Sequence, residues 1–166
     1  MSSAPKGKKM TAYMPKAKSV EWATPWPLFR KLDEEFHFTL DVCALDGNTK
    51  CALFYTPEQD GLLKDWAPHT CWCNPPYGAT NIEQWLRKGR SEAGKGATVV
   101  YLIPATTDVI WFHEFVWDRE ENHTRPGVEL RFFKGRINFA GVENGGNIKP
   151  SMLVIFRPLG KKGHFQ

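Results

Sequence analysis

The sequence lacks any run of about 18 consecutive apolar residues, so no membrane-spanning helix is expected. Its first 18 residues hold five lysines, no acid and no apolar stretch, and do not resemble a secretory signal. Cysteine is scarce, with four residues (Cys43, Cys51, Cys71, Cys73). In the absence of a secretory signal they are expected to be reduced thiols in a cytosol. Cys71 and Cys73 flank a single residue, a spacing poor for zinc and natural for one face of a strand, so no metal site is expected. No internal repeat is visible.

What is present is globular. A chain of 166 residues with 42% apolar and 13% aromatic residues supports one compact domain with a real core, to which most of the seven tryptophans are assigned. The net charge of +4 is unevenly spread. Residues 1–18 carry +5, residues 19–124 carry nine basic against sixteen acidic residues, and residues 125–166 carry eight basic residues against Glu129 and Glu143. Basic ends around an acidic middle suit a polyanion gripped from the periphery. A solubilising tail and an ordinary basic face fit the charges equally well.

Residues 1–18 read as a mobile tail. Thr24 is placed to cap a helix over about 25–35, with Pro25 as its first residue and Trp26, Leu28, Phe29, Leu32 and Phe36 at helical spacing. A short apolar strand follows at 38–44, a second candidate strand at Leu53-Phe54-Tyr55, a turn at Asp60-Gly61 and a third strand at 70–73. A helix is expected from Asn81 to about Arg90, with Ile82, Trp85 and Leu86 inward. Residues 97–103 form the clearest strand, a continuous apolar run of the buried parallel type. A helix over 107–117, capped by Thr107 or Asp108, and strands at 128–133 and 151–157 complete the series. This order predicts an α/β fold, a mostly parallel sheet with an antiparallel end.

Ligands bind an open α/β sheet beyond the carboxyl ends of its strands. The strand at 70–73 ends abruptly in Asn74-Pro75-Pro76-Tyr77. Two prolines freeze the loop and fix the direction of its carbonyls. An Asn side-chain oxygen and a proline carbonyl, both acceptors, can converge on one NH2 group, while Tyr77 offers a flat face for stacking. Polarised through its hydrogens, such a nitrogen attacks a methyl donor more readily. A rigid turn capped by an asparagine is the plainer alternative.

This tetrapeptide matches that of amino-group DNA methyltransferases, and the wider sequence resembles the phage-type DNA N-6-adenine-methyltransferase family. The pieces that carry the resemblance are Trp22-Ala-Thr-Pro25, Leu40-Asp-Val-Cys-Ala44, Asp60-Gly-Leu62 before Asp65-Trp66, Cys73-Asn-Pro-Pro-Tyr77, Leu102-Ile-Pro-Ala105 before Trp111-Phe-His113, Gly135-Arg-Ile137 and Ser151-Met-Leu-Val-Ile155. They span about residues 21–157.

The resemblance implies one methyltransferase domain of Rossmann-like fold over 19–160, between tails at 1–18 and 161–166. It implies S-adenosylmethionine as cofactor, double-stranded DNA as partner, and a target adenine flipped out of the duplex, as buried N6 requires. It also implies a bacterial or phage-infected host cytosol and a role in masking phage DNA from restriction.

By the same resemblance Asn74, Pro75, Pro76 and Tyr77 are catalytic. Thr24-Pro25 holds the cofactor's methionine carboxylate, a role compatible with a helix N-terminus. Asp41, Cys43 and Ala44 line the cofactor, and Asp60 accepts from its adenosine amino group, although Asp60 also fits as a turn residue. The family's usual Gly-rich loop after the first strand is missing here: no glycine follows Asp41 until Gly47.

Arg131, Lys134, Arg136 and Asn138 are candidate DNA contacts, and Phe139 a candidate stacking partner for the base opposite Tyr77. A solvated cationic face and a hairpin core residue are their plainer readings. Two other functions stay open: methylation of a glutamine side-chain amide in proteins, and a catalytically inactive DNA-binding relative.

Overall fold

The apolar run expected as a buried strand lies at the centre of the sheet. The computed structural model describes residues 23–139 and 149–160; the tails at 1–18 and 161–166 and the stretch 140–148 lie outside the described residues. In chain order the elements are α1 (Trp26–Phe36), β1 (Leu40–Asp41), a 3-10 turn (Gly61–Leu63), β2 (Thr70–Cys73), α2 (Ala79–Lys95), β3 (Thr98–Pro104), α3 (Ile110–Phe115), β4 (Trp117–Asp118), β5 (His123–Thr124), β6 (Val128–Phe132) and β7 (Ser151–Phe156).

Five strands form one sheet in the order β1-β2-β3-β7-β6. The pairs β1–β2 and β2–β3 are parallel, while β3–β7 and β7–β6 are antiparallel. It follows that β6 points the same way as β3, and β7 is the reversed strand. The sheet thus has the expected antiparallel end, with the reversed strand β7 wedged between β3 and β6.

Side chains of β3 alternate, Val99, Tyr101 and Ile103 entering one apolar cluster and Val100 and Leu102 the other. A strand covered on both faces is apolar throughout, which is why no polar alternation marks it. Ile82, Trp85 and Leu86 of α2 and Trp111, Phe112 and Phe115 of α3 cover the first face. Phe29, Leu32 and Phe36 of α1, with Ile137 and Phe139, cover the second. Cys71 and Cys73 share the first face while Trp72 turns to the second, as the one-residue spacing predicts.

Several boundaries differ from expectation, each for a local reason. Pro25, not Thr24, is the N-cap of α1, and its ring offers no side-chain cap; the Thr24 hydroxyl bonds Asn74. The strand expected over 38–44 shortens to Leu40–Asp41, and Leu53-Phe54-Tyr55 to a single parallel bridge between Asp41 and Phe54. The backbone bonds Asp41 N to Leu53 O (3.0 Å), Tyr55 N to Asp41 O (2.9 Å) and Ala44 N to Tyr55 O (3.0 Å) hold that outer segment. Helix α3 begins after Val109, with neither Thr107 nor Asp108 as cap, and stops early because Trp117-Asp118 pairs with His123-Thr124 in a small hairpin.

Helix α2 runs past Arg90 to Lys95 because its last turns have buried work to do. The Glu92 side chain is fully buried and accepts from Trp66 N (2.9 Å), Ala67 N (3.2 Å), Lys88 Nζ (2.7 Å) and Lys95 Nζ (2.9 Å). Burial alone pushes its carboxyl upward, but these four donors outweigh that and hold it at about 2. No helix among the described residues is long and apolar enough to cross a membrane.

Candidate active site

The parallel strands deliver the segments that carry chemistry to one edge of the sheet. Strands β1, β2 and β3 end there, and so does β6, since it shares their direction and its last residue, Phe132, pairs with Met152 near the start of β7. The loops after Asp41, after Cys73 and after Phe132 are thereby neighbours without being close in sequence.

Asn74-Pro75-Pro76-Tyr77 leaves the sheet directly at the end of β2, with Pro75 buried and Asn74, Pro76 and Tyr77 half-buried. The Asn74 amide is anchored across the chain: its Nδ2 donates to Thr24 Oγ1 at 3.2 Å. Thr24 is only 2% exposed, so the contact is buried on its side and half-buried on that of Asn74. Tyr77 meets Phe139 edge to face, with ring centroids 6.5 Å apart and planes at 79°. Burial pushes the Tyr77 phenol well above its ordinary range, so it stays protonated.

Phe139 is thus brought to Tyr77, but as a residue 3% exposed within the α1-side cluster. A base sandwiched between two rings needs parallel planes about 3.5 Å to either side of it. The crossed rings leave no such slot, so stacking on Phe139 would require one ring to turn.

Asp41 is buried, and both its oxygens are spent on the loop that follows. Oδ1 accepts from Cys43 N (3.3 Å) and Oδ2 from Lys50 N (3.0 Å). These bonds close residues 43–50 into the compact turn that stands where a Gly-rich loop was missed. Burial raises the Asp41 carboxyl to about 6, partly offset by the two N–H donors. Cys43 is half-buried and Ala44 buried beside it. Lys50, whose ammonium is pulled down by burial, lies over the Trp26 ring at 4.1 Å, next to the start of α1.

Asp60 and Gly61 close the same corner. Asp60 adopts a left-handed conformation (φ 51°), and its Oδ1 accepts from Leu62 N at 3.1 Å. Among the described residues its second oxygen takes no hydrogen bond. Gly61 packs against the end of β1 so tightly that a Cβ would lie 2.1 Å from the Val42 carbonyl oxygen. The sequence marks Asp60 as a turn residue and a candidate cofactor contact, but the close approach of Gly61 to Val42 had no local signal.

The cations divide. Arg131 is taken up by ion pairs with Glu35 and Glu129, and Glu129 also receives Arg157 (2.8 Å). Lys134, Arg136 and Asn138 are exposed on the segment after β6.

A family model described as DNA N-6-adenine-methyltransferase (Dam) matches residues 11–165. The chain is 37% identical over 139 residues to the DNA N-6-adenine-methyltransferase of Haemophilus phage HP1 (strain HP1c1), covering 82% of this chain and 78% of the relative. It is 28% identical over 159 residues to the DNA N-6-adenine-methyltransferase of Escherichia phage T1, covering 87% of this chain and 65% of that longer protein.

Proposed function

Because the chain belongs to the DNA N-6-adenine-methyltransferase family, we propose that it methylates N6 of an adenine flipped out of duplex DNA, with S-adenosylmethionine as donor. The observation that carries this reading is the Asn-Pro-Pro-Tyr loop at the carboxyl end of β2, its asparagine amide held in place from across the chain. A parallel sheet whose last strand is reversed and inserted beside its neighbour supports a Rossmann-like methyltransferase fold.

The donor set of the corner between β1, α1 and the Asp60 turn fits that cofactor. Helix α1 has no side-chain cap, which leaves backbone N–H groups and a positive dipole end for a carboxylate. The second oxygen of Asp60 is an acceptor suited to an adenosine amino group. When bound, the sulfonium supplies an electrophilic methyl.

Everything else falls to the chain itself. Asn74 Oδ1 and the Pro75 carbonyl accept from the two hydrogens of the adenine amino group and draw its lone pair toward attack. Tyr77 supports the flipped ring. The prolines hold the acceptors where they are, so placement rather than acid–base chemistry provides the acceleration. Lys134 and Arg136 supply exposed positive charge for the phosphates beside that edge.

The reading is tested by transfer of tritiated methyl groups from the cofactor to duplex DNA and, in parallel, to a protein extract. Label in DNA alone is expected. Label in protein alone would point to glutamine amides, and label in neither to an inactive relative.

A further inference from the structure

We infer that Thr24 is a positioning residue for Asn74, its hydroxyl anchoring the catalytic amide beside the target amino group. The inference rests on the proposed reading of the Asn-Pro-Pro-Tyr loop. A carboxamide is nearly symmetric in shape but not in chemistry, with an accepting oxygen at one end and an NH2 donor at the other. Rotated by half a turn, Asn74 would point its NH2 at the NH2 of the base, donor against donor, and the polarisation would be lost. The backbone of the loop, however rigid, does not by itself hold the side chain in place.

The bond from Asn74 Nδ2 to Thr24 Oγ1 supplies that hold. With the nitrogen end committed to Thr24, the oxygen lies at the opposite end of the amide. Both partners are held by rigid elements. Asn74 follows Cys73, the last rung of the β2–β3 ladder. Thr24 precedes the cap of α1, and α1 is fastened to the same stretch of sheet by Phe29 edge-on against Trp72, with centroids 5.5 Å apart. Threonine is also stiff at χ1, so little freedom is left to be frozen.

The hydroxyl is not spent as a helix cap, the role sequence reading gave it. Accepting from Asn74 uses a lone pair and not the hydroxyl proton. The same oxygen can therefore donate to an acceptor at the start of α1, which couples the cofactor corner to the catalytic amide through one side chain.

The test uses the full chain with Thr24→Val, which removes the hydroxyl at constant shape, and Thr24→Ser, which keeps it. At saturating cofactor and DNA, kcat is expected to fall about tenfold in Thr24→Val, the loss of one net hydrogen bond, and to stay near wild type in Thr24→Ser. In an Asn74→Ala background, Thr24→Val should leave kcat unchanged. In the cofactor-free protein, the Asn74 side-chain NH2 resonances should shift and exchange faster in Thr24→Val but not in Thr24→Ser.

Wild-type kcat in Thr24→Val with only a weakened calorimetric affinity for the cofactor would overturn the inference, leaving Thr24 a cofactor contact. An equal loss of kcat with and without Asn74 would overturn it too, as a general structural effect. If Thr24→Val melts below the assay temperature, Thr24→Ala makes the same comparison. A wild-type protein that methylates no DNA would defeat the proposed function, and the amide resonances would still decide the positioning.

Discussion

At the scale of single residues, the chemistry concentrates on one amide and one carboxylate. Asn74→Ala removes a preorganised acceptor and is expected to lower methyl transfer by about 10²–10³-fold while calorimetric cofactor affinity is kept. Asp60→Asn retains the oxygen that caps Leu62 and tolerates the left-handed backbone, but turns an acceptor into a donor. Cofactor affinity should drop about tenfold, or about 1.5 kcal/mol, with the melting temperature unchanged; unaltered affinity would place the adenosine group elsewhere. The tetrapeptide was legible because its four residues are contiguous and their chemistry is local. Thr24 was also singled out, but its bond to Asn74 was not, since a contact across fifty positions leaves no periodic trace. Asp41 was legible as a residue at a strand end. That both its oxygens turn back into its own loop depends on a fold no window of sequence contains.

Among the elements, α2 carries a stability device that the sequence disguises. Glu92 lies beyond the helix expected to end at about Arg90, in a stretch rich in charge, yet it is the buried pin that ties the segment at Trp66-Ala67 to the helix. Its carboxyl is lowered from an ordinary 4.5 to about 2, which corresponds to about 3 kcal/mol favouring the native state. A depressed folded-state value means this contribution is complete above pH 4.5 and fades as the pH falls toward 2. Denaturant melts of Glu92→Gln should therefore lie about 3 kcal/mol below wild type at pH 7, and the gap should close progressively below pH 4.5. A gap independent of pH would remove the ionised carboxylate from the explanation. Long apolar elements such as β3 were read almost to the residue, because burial on both faces forces a continuous run. The β4–β5 hairpin was missed: its two-residue strands, Trp117-Asp118 and His123-Thr124, are too short to show alternation. The position of β7 inside the sheet was missed as well, since strand order is set by long-range pairing and not by strand composition.

Over the whole molecule, charge and topology act together. The parallel run of β1, β2, β3 and β6 gathers the Asn-Pro-Pro-Tyr loop and the basic segment after Phe132 at one edge of the sheet. Sequence counted Arg131, Lys134 and Arg136 alike, whereas the fold commits Arg131 to Glu35 and Glu129 beneath the outer strand. Lys134→Ala should flatten the slope of log DNA affinity against log salt by about 0.9, the share of one neutralised phosphate. Arg131→Ala should leave that slope alone and lower the melting temperature instead; the reverse pattern would move the DNA path to the α1 side. The central claim is a chemical one, that the amino group methylated is N6 of adenine in DNA. It is tested most directly by digesting duplex DNA to nucleosides after incubation with the protein and isotopically labelled S-adenosylmethionine. The account predicts labelled N6-methyladenine that disappears with Asn74→Ala. Label on N4 of cytosine, or methylated DNA formed undiminished by the Asn74→Ala protein, would contradict it.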